Sequence, residues 1–373
     1  MRFVIVNHAY DDFLDWLYRT TPGLETQPFK VQLAAYYNTL FASSDFCAHA
    51  LDALGHEVDE FVVNNPSAQR AWLREHRPSR LRRWLAHMVK PDALAAKPPK
   101  SELSSFDTLL EQVRLIRPDV IYNQSVYAFG DVELNALKSY AGKLVGEHAA
   151  MPLPDMIDYR LYDLIVSSFP PTIDWLRARG ARAELNRLAF DPRVAMMVPE
   201  TLRDIRASFA GSFLPVHRSR MEWLNAVATR IPDISVHGSV AVEVPQSSAL
   251  FGMIGPALWG RDMFALLRRS QVTLNHHGDV PAFANNMRLY EATGMGCLLV
   301  TDYKDNLHEM FEPEQEVVAY RDAAECIDKL LFYLDERNHS ARDRIASAGR
   351  RRTLNEHTYR ARMERLVELI EAA

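Results

Sequence analysis

Cysteine is scarce in this chain. Its 373 residues include three, Cys47, Cys297 and Cys326, which are far apart and form no Cys-x-x-Cys pair. Neither a disulfide framework nor a zinc ribbon is expected from them, and a reducing cytosol suits them. Long apolar runs are also lacking, so no segment is expected to span a bilayer. The opening Met1-Arg2-Phe3-Val4-Ile5-Val6-Asn7 turns polar too soon for a signal peptide. An excess of positive charge is missing as well. The formal net charge of −5 argues against nucleic acid as the main partner. What remains is an ordinary globular composition, 48% hydrophobic and 24% charged. One core rarely grows beyond roughly 250–300 residues, so this length points to two domains.

Short apolar runs alternate with helical stretches from the first residues. Segments 3–6, 58–63, 119–123, 143–148, 163–168 and 184–188 read as strands, and 31–54, 106–116, 134–140 and 171–179 as helices. That order predicts an α/β fold built on a mostly parallel, doubly wound sheet. Residues 189–207 hold Pro192 and Pro199 without a strand pattern and read as a linker. A second alternation follows, with strands at 208–212, 234–238, 272–275, 297–300 and 317–320, and helices at 221–229 and up to Arg269. From Asp322 onward the chain is helical. The expected division is a first domain at 1–190, a linker at 191–207, a second domain at 208–350, and a terminal helix over 351–373 able to cross back.

Residues 69–90 depart from this pattern. Seven basic side chains are interleaved there with Trp72 and Trp84. Two readings stand: a basic amphipathic helix on an anionic membrane surface or a charged acceptor, or a solvated surface helix. Pro78 and Glu75 favour the second. Residues 92–105, rich in Ala, Pro, Lys and Ser, read as a loop.

The stretch from Asn285 to Asp302 organises the chemistry. Met287, Tyr290, Glu291 and Met295 fall on a helical period, Gly294 and Gly296 stop the helix, and Cys297 to Val300 follows as a buried strand. In open α/β sheets ligands sit outside the carboxyl ends of the strands. A helix beginning at Asn285-Asn286 would aim free N–H groups at that cleft, where phosphate binds readily. Glu291 could then accept hydrogen bonds from a pair of sugar hydroxyls. By the same logic, the loop after the first strand makes Tyr10 and Asp11 candidates for acceptor contact. Gly211 and Ser212, after a strand, would let backbone approach a ligand. An arginine opening the next helix, Arg220 or Arg218, could pair with phosphate oxygens. Glu147 and His148 end a strand where a cleft between domains would lie. His276-His277 gives only weak support for a metal site.

The run Asn286, Arg288, Glu291, Gly294, Gly296 resembles the N-x-R-x-x-E-x-x-G-x-G pattern of the CgeB family of glycosyltransferases, related to glycosyltransferase family 4. Gly211-Ser212 with Arg220, Leu274-Asn275, and Gly349-Arg350 with His357-Thr358-Tyr359 extend the resemblance, which is strongest over 208–360. The resemblance implies a GT-B fold, two Rossmann-like domains facing a cleft. It implies retaining transfer of a sugar from a nucleoside-diphosphate sugar to a glycan, lipid-linked or protein hydroxyl. Gly211, Ser212, Arg218, Arg220, Asn275, Asn285, Asn286, Arg288 and Glu291 would bind the donor. His148, Glu147 and Asp279 would act at the sugar, and Tyr10 and Asp11 on the acceptor side. Family 4 chains carry two glutamates separated by seven residues; Glu291 matches the second, and Phe283 stands at the first. No Asp-x-Asp occurs, so neither a metal nor another cofactor is expected. An epimerase or a non-catalytic nucleotide-sugar-binding protein on the same fold are the alternatives. The expected location is cytoplasmic, with peripheral contact at the inner membrane face left open for 70–90.

Overall fold

A computed structural model describes residues 1–42, 44–76, 104–215, 218–277 and 282–373. The first half is one sheet of β1 (Arg2–Asn7), β2 (Glu57–Val62), β3 (Val120–Asn123), β4 (Lys143–Glu147), β5 (Leu164–Ser167) and β6 (Ala183–Leu185). Its order is β2-β1-β3-β4-β5-β6, and the pairs are parallel. Around it lie α1 (Asp11–Thr20), α2 (Phe29–Asn38), α3 (Phe46–Ala53), α4 (Pro66–His76), α5 (Ser105–Ile116), α6 (Asp131–Lys138) and α7 (Pro170–Ala178). The near-continuous apolar strands have the composition expected of a sheet covered on both faces: β3 and β5 are buried along their whole length.

After α8 (Pro192–Met197) the second sheet contains β7 (Ile205–Ala210), β8 (Ser235–His237), β9 (Ser270–Asn275), β10 (Leu298–Asp302) and β11 (Val318–Tyr320). Its order is β11-β10-β9-β7-β8, also parallel. Its helices are α9 (Arg218–Arg230), α10 (Arg261–Arg269), α11 (Arg288–Gly294), α12 (Ala323–Leu334) and α13 (His339–Glu356), and α14 (Tyr359–Glu371) ends the chain. In each sheet the order reverses beside the first strand, between β1 and β3 and between β7 and β9. Such switch points open a crevice at the strands' carboxyl ends.

The two halves are stitched together. Phe190 donates its N–H to His357 and accepts from the N–H of Tyr359, where α14 begins. That helix then packs on α3 of the first half. At its end Lys143 Nζ donates to the Ile370 carbonyl and Arg182 to that of Ala372. Arg193 joins Asp45 to Asp191 across the same seam.

Several expected boundaries move. The helix expected over 31–54 is two, α2 and α3. The break between them places Leu40 and Ala42 at positive φ. Its cause is tertiary: the Thr39 carbonyl turns to accept the Arg261 N–H at 2.8 Å from the other half. The linker region holds a helix, α8, because Pro192 suits a first turn and the Asp191 side chain caps it by accepting from the Arg193 N–H. Strand β7 begins within the linker, at Ile205. The helix ends at Gly294, the last residue of α11, and Gly296, at φ 70°, makes the turn that follows. Of the basic stretch, residues up to His76 belong to α4. Trp72 is buried there, stacked on His76 at 4.4 Å, so it is core rather than an exposed anchor. The remainder, 77–103, lies outside the described residues. Among the described residues no helix is long and apolar enough to cross a membrane.

Candidate functional site

A pocket of about 420 Å³ opens at the β7/β9 switch point, between the halves. The second half supplies Gly211, Ser212, Arg220, Asn275, Asn286, Arg288 and Glu291, and the first half Tyr10, Leu40, Phe41 and Ala42. The broken helix thus has a function in the architecture: its break reaches the pocket.

Arg220 projects from the first turn of α9 and is buried. Its guanidinium donates to the Ser212 carbonyl at 2.8 Å and to the His276 carbonyl at 2.9 Å, bridging the ends of β7 and β9. Gly211 permits this: an added Cβ would lie 3.1 Å from the Phe209 ring and 3.6 Å from Arg220 Nη1. Arg288 opens α11. It donates to the Ala210 carbonyl at 3.2 Å and to Met263 Sδ at 2.7 Å, and its Nη1 lies 3.5 Å from Glu291 Oε2. Burial pushes the Glu291 carboxyl above its usual range, and the Arg288 charge opposes that. One buried cation, one half-buried cation and one buried carboxylate, Arg220, Arg288 and Glu291, therefore share a small pocket. That arrangement suits a dianionic group next to hydroxyls.

Asn275 is occupied structurally. It donates to Thr301 Oγ1 at 2.9 Å and accepts from Asn286 Nδ2 at 2.7 Å. Asn286 Oδ1 is buried with no partner among the described residues. Asn285 does not line the pocket; its amide donates to the Ala149 carbonyl across the seam. The helix starts at Arg288, not at Asn285-Asn286, so both asparagines lie in the approach to α11.

His148 lies in the loop that Asn285 touches, edge-on to Tyr127 at 5.3 Å. Burial lowers its pKa, opposed by a backbone hydrogen bond at Ala150. Its Nε2 is buried with no partner among the described residues. Glu147 serves the core. It accepts from Tyr122 Oη at 2.5 Å and from Gln124 at 3.4 Å, and burial raises its pKa despite both bonds. Neither residue lines the pocket. Tyr10 is exposed and tilted over Phe41 at 5.9 Å. Asp11 lies outside the pocket and accepts from Asn64 Nδ2. Phe283 packs edge-on to Phe169 of the first half at 5.9 Å, a contact between halves where family 4 has a glutamate. Asp279 lies outside the described residues, as does the side chain of Arg218.

Sequence reasoning missed the 40–42 loop and Met263. Ser43-Ser44-Asp45 before an apolar run was a readable sign of a break and a new helix start. It weighed His276-His277 only as a metal site and missed the pairing of His277 with Asp302. His277 Nδ1 lies 2.6 Å from Asp302 Oδ1, whose other oxygen is 3.4 Å from Lys304 Nζ. Burial pushes the Asp302 carboxyl up, but the bond and charge of His277, with His276 and Lys304, outweigh it and hold it at about 2. Among the described residues no group of three or more His, Cys, Asp or Glu side chains is placed to hold a metal.

Residues 218–368 match the model of the family described as "Glycosyl transferase-like". The match covers less than half of the chain, and it supports a glycosyltransferase of group 1. No curated protein sequence matches. Solved structures match along the whole chain. HepE of Anabaena in complex with UDP-glucose has a TM-score of 0.58 at 11% identity, covering 100% of both chains. Sucrose-phosphate synthase from Thermosynechococcus elongatus has a TM-score of 0.54 at 11% identity, covering 100% of this chain and 98% of that one. An α-glucosyltransferase in complex with UDP-glucose and DNA has a TM-score of 0.60 at 10% identity, covering 100% and 99%. At such identities the likeness carries the fold alone, and the fold is GT-B.

Proposed function

We propose that this protein is a CgeB-like glycosyltransferase that moves a sugar from a nucleoside-diphosphate sugar to an acceptor hydroxyl with retention. The observation that carries the reading is the joining of Arg220, Arg288 and Glu291 in one pocket at the switch point of the glycosyltransferase-like domain. Arg220 and Arg288 would face the diphosphate, and Glu291 the ribose hydroxyls. Asn286, with its free buried oxygen, would accept from a donor hydroxyl or N–H. His148 would meet the sugar from across the seam, and Glu147 would hold that strand end in place through Tyr122. Tyr10 would border the acceptor.

In this reaction the bond from sugar C1 to the phosphate oxygen breaks, and its electron pair goes to that oxygen. The acceptor oxygen bonds C1, and its proton passes to the departing diphosphate oxygen. Charge grows on the departing diphosphate, where fixed arginines stabilise it without reorganising. The arginines supply the neutralising charge in this account, so no metal is invoked. The UDP-glucose held by HepE makes a UDP-hexose a reasonable first donor to try. We place the protein in the cytoplasm, with the acceptor a glycan, lipid-linked or protein hydroxyl.

The test is turnover. A panel of nucleoside-diphosphate sugars is incubated with the protein, and release of free nucleoside diphosphate is measured. One donor should be consumed, and Arg220→Gln should lower its kcat/KM by roughly a hundredfold or more, in line with the loss of one oriented charge donor. A donor that is bound but never consumed, with every acceptor class supplied, would mark a binding protein instead.

A further inference from the structure

A second pocket, also about 420 Å³, lies at the other end of the second sheet. Helices α10 and α11 begin at the donor cleft and end here, with Arg268 in the last turn of α10 and Met295-Gly296 just after α11. Three arginines meet around it: Arg203, Arg268 and Arg350. Arg203 is largely committed. Its guanidinium donates to the carbonyls of Leu267, Ser270, Met295 and Gly296, closing the last turns of α10 and α11. Gly296 lets the cations come close, since an added Cβ would lie 3.3 Å from both Arg203 Nη2 and Arg350 Cδ.

Arg268 is different. It is 6% exposed, one of its Nη groups donates to the Ala195 carbonyl, and its Nε is buried with no partner among the described residues. Burial and the charges of Arg350 and Arg203 all push its pKa down, with Glu200 opposing. Arg350 is exposed and makes no hydrogen bond or ion pair with the described residues. Asp343, at the rim, pairs with Arg342 instead, at 3.6 Å. A buried orphan N–H beside two like charges costs free energy unless an anion answers it.

We propose that this pocket binds a phosphate-class oxyanion, gripped by Arg268 and Arg350 with Arg203 behind them. The anion would accept from Arg268 Nε and pair with the free guanidinium of Arg350. Free phosphate and a small phosphate monoester share this chemistry. The site is separate from the donor cleft and does not depend on the proposed activity.

The test uses the full chain carrying Arg220→Gln, so that the donor cleft contributes little. Thermal unfolding is followed in inorganic phosphate or glycerol 3-phosphate, against chloride at matched ionic strength. The melting temperature should rise and saturate with ligand concentration. Adding Arg350→Gln should weaken the response at least about tenfold, as losing one charged hydrogen-bond partner does. Ser347→Glu, an exposed helix position on the pocket wall, should supply a carboxylate in place of the anion. It should raise the basal melting temperature and abolish the response. A stronger response to glycerol 3-phosphate identifies a monoester site, and an equal one a phosphate site. No response, or a response untouched by both substitutions, overturns the proposal. Nucleoside-diphosphate binding by Arg350→Gln alone reports separately on the donor cleft.

Discussion

Gly294→Ala tests whether the donor helix is held by its packing on the segment that joins the halves. An added Cβ at Gly294 would lie 2.5, 2.6 and 2.7 Å from three atoms of the Phe190 ring. Carbon atoms prefer about 3.5–4.0 Å, so the ring or the helix must retreat by about 1 Å. Phe190 cannot retreat easily. It is 1% exposed, and both its backbone groups are bonded to residues at the start of α14. Alanine gains about 1 kcal/mol of helix propensity over glycine. Overpacking costs about 1–3 kcal/mol, and contact with three ring atoms argues for the top of that range. The net is a loss of about 2 kcal/mol. Urea unfolding of the variant measures it, and Phe190→Leu/Gly294→Ala should recover at least about 1 kcal/mol relative to the sum of the single changes. A neutral or more stable Gly294→Ala, or strict additivity, refutes the argument.

Three further outcomes follow from the packing and the charges. Asp302→Asn removes a carboxyl held at about 2. A depressed carboxyl contributes stability above its unfolded pKa, so the variant should lose about 2 kcal/mol near pH 6. That deficit should fade as pH falls from about 4 to 2, as read by melting temperature against pH. Glu60, bonded by Asn7 and Tyr37, is pushed by burial up to about 8 despite those bonds. Its ionisation opposes folding as pH rises from about 4.5 toward 8, so Glu60→Gln should be the more stable protein at pH 8 and close to wild type at pH 4. Gly260→Ala would set a Cβ 1.9 Å from the Thr39 carbonyl oxygen at a positive φ. It should loosen the contact between the halves, with faster proteolysis near residues 39–45 at a temperature where the wild type resists.

How much of this was legible beforehand depends on the kind of residue. The strands were readable because parallel strands covered on both faces are short continuous apolar runs, as in 120–123 and 164–167. The meeting of Gly211, Arg220, Asn286, Arg288 and Glu291 was readable through a spacing pattern that a switch point brings together. The break at 39–45 had a local sign in Ser43-Ser44-Asp45, but its reach into the pocket had none, because what turns Thr39 outward is a partner more than two hundred residues away, Arg261. Gly294 was read as punctuation because nothing local announces a ring against it. Asn275 was read as a ligand group, while its amide holds Thr301 and Asn286. Phe283 looked like a lost catalytic carboxylate; in the structure it is a contact with Phe169. Arg268 carried no signal at all, since three arginines from separate segments meet only in the fold.

The most direct test of the account is calorimetric titration of the protein with UDP, GDP, dTDP, CMP and ADP, repeated on Arg220→Gln and Glu291→Gln. Glutamine at 291 preserves the side-chain volume beside Arg288 while removing the charge. One nucleoside diphosphate should bind the wild type, and each variant should weaken it by roughly tenfold or more, the loss expected for one charged hydrogen-bond partner. Binding that is indifferent to both substitutions, or no binding by any of the five, would contradict a donor site at the β7/β9 switch point.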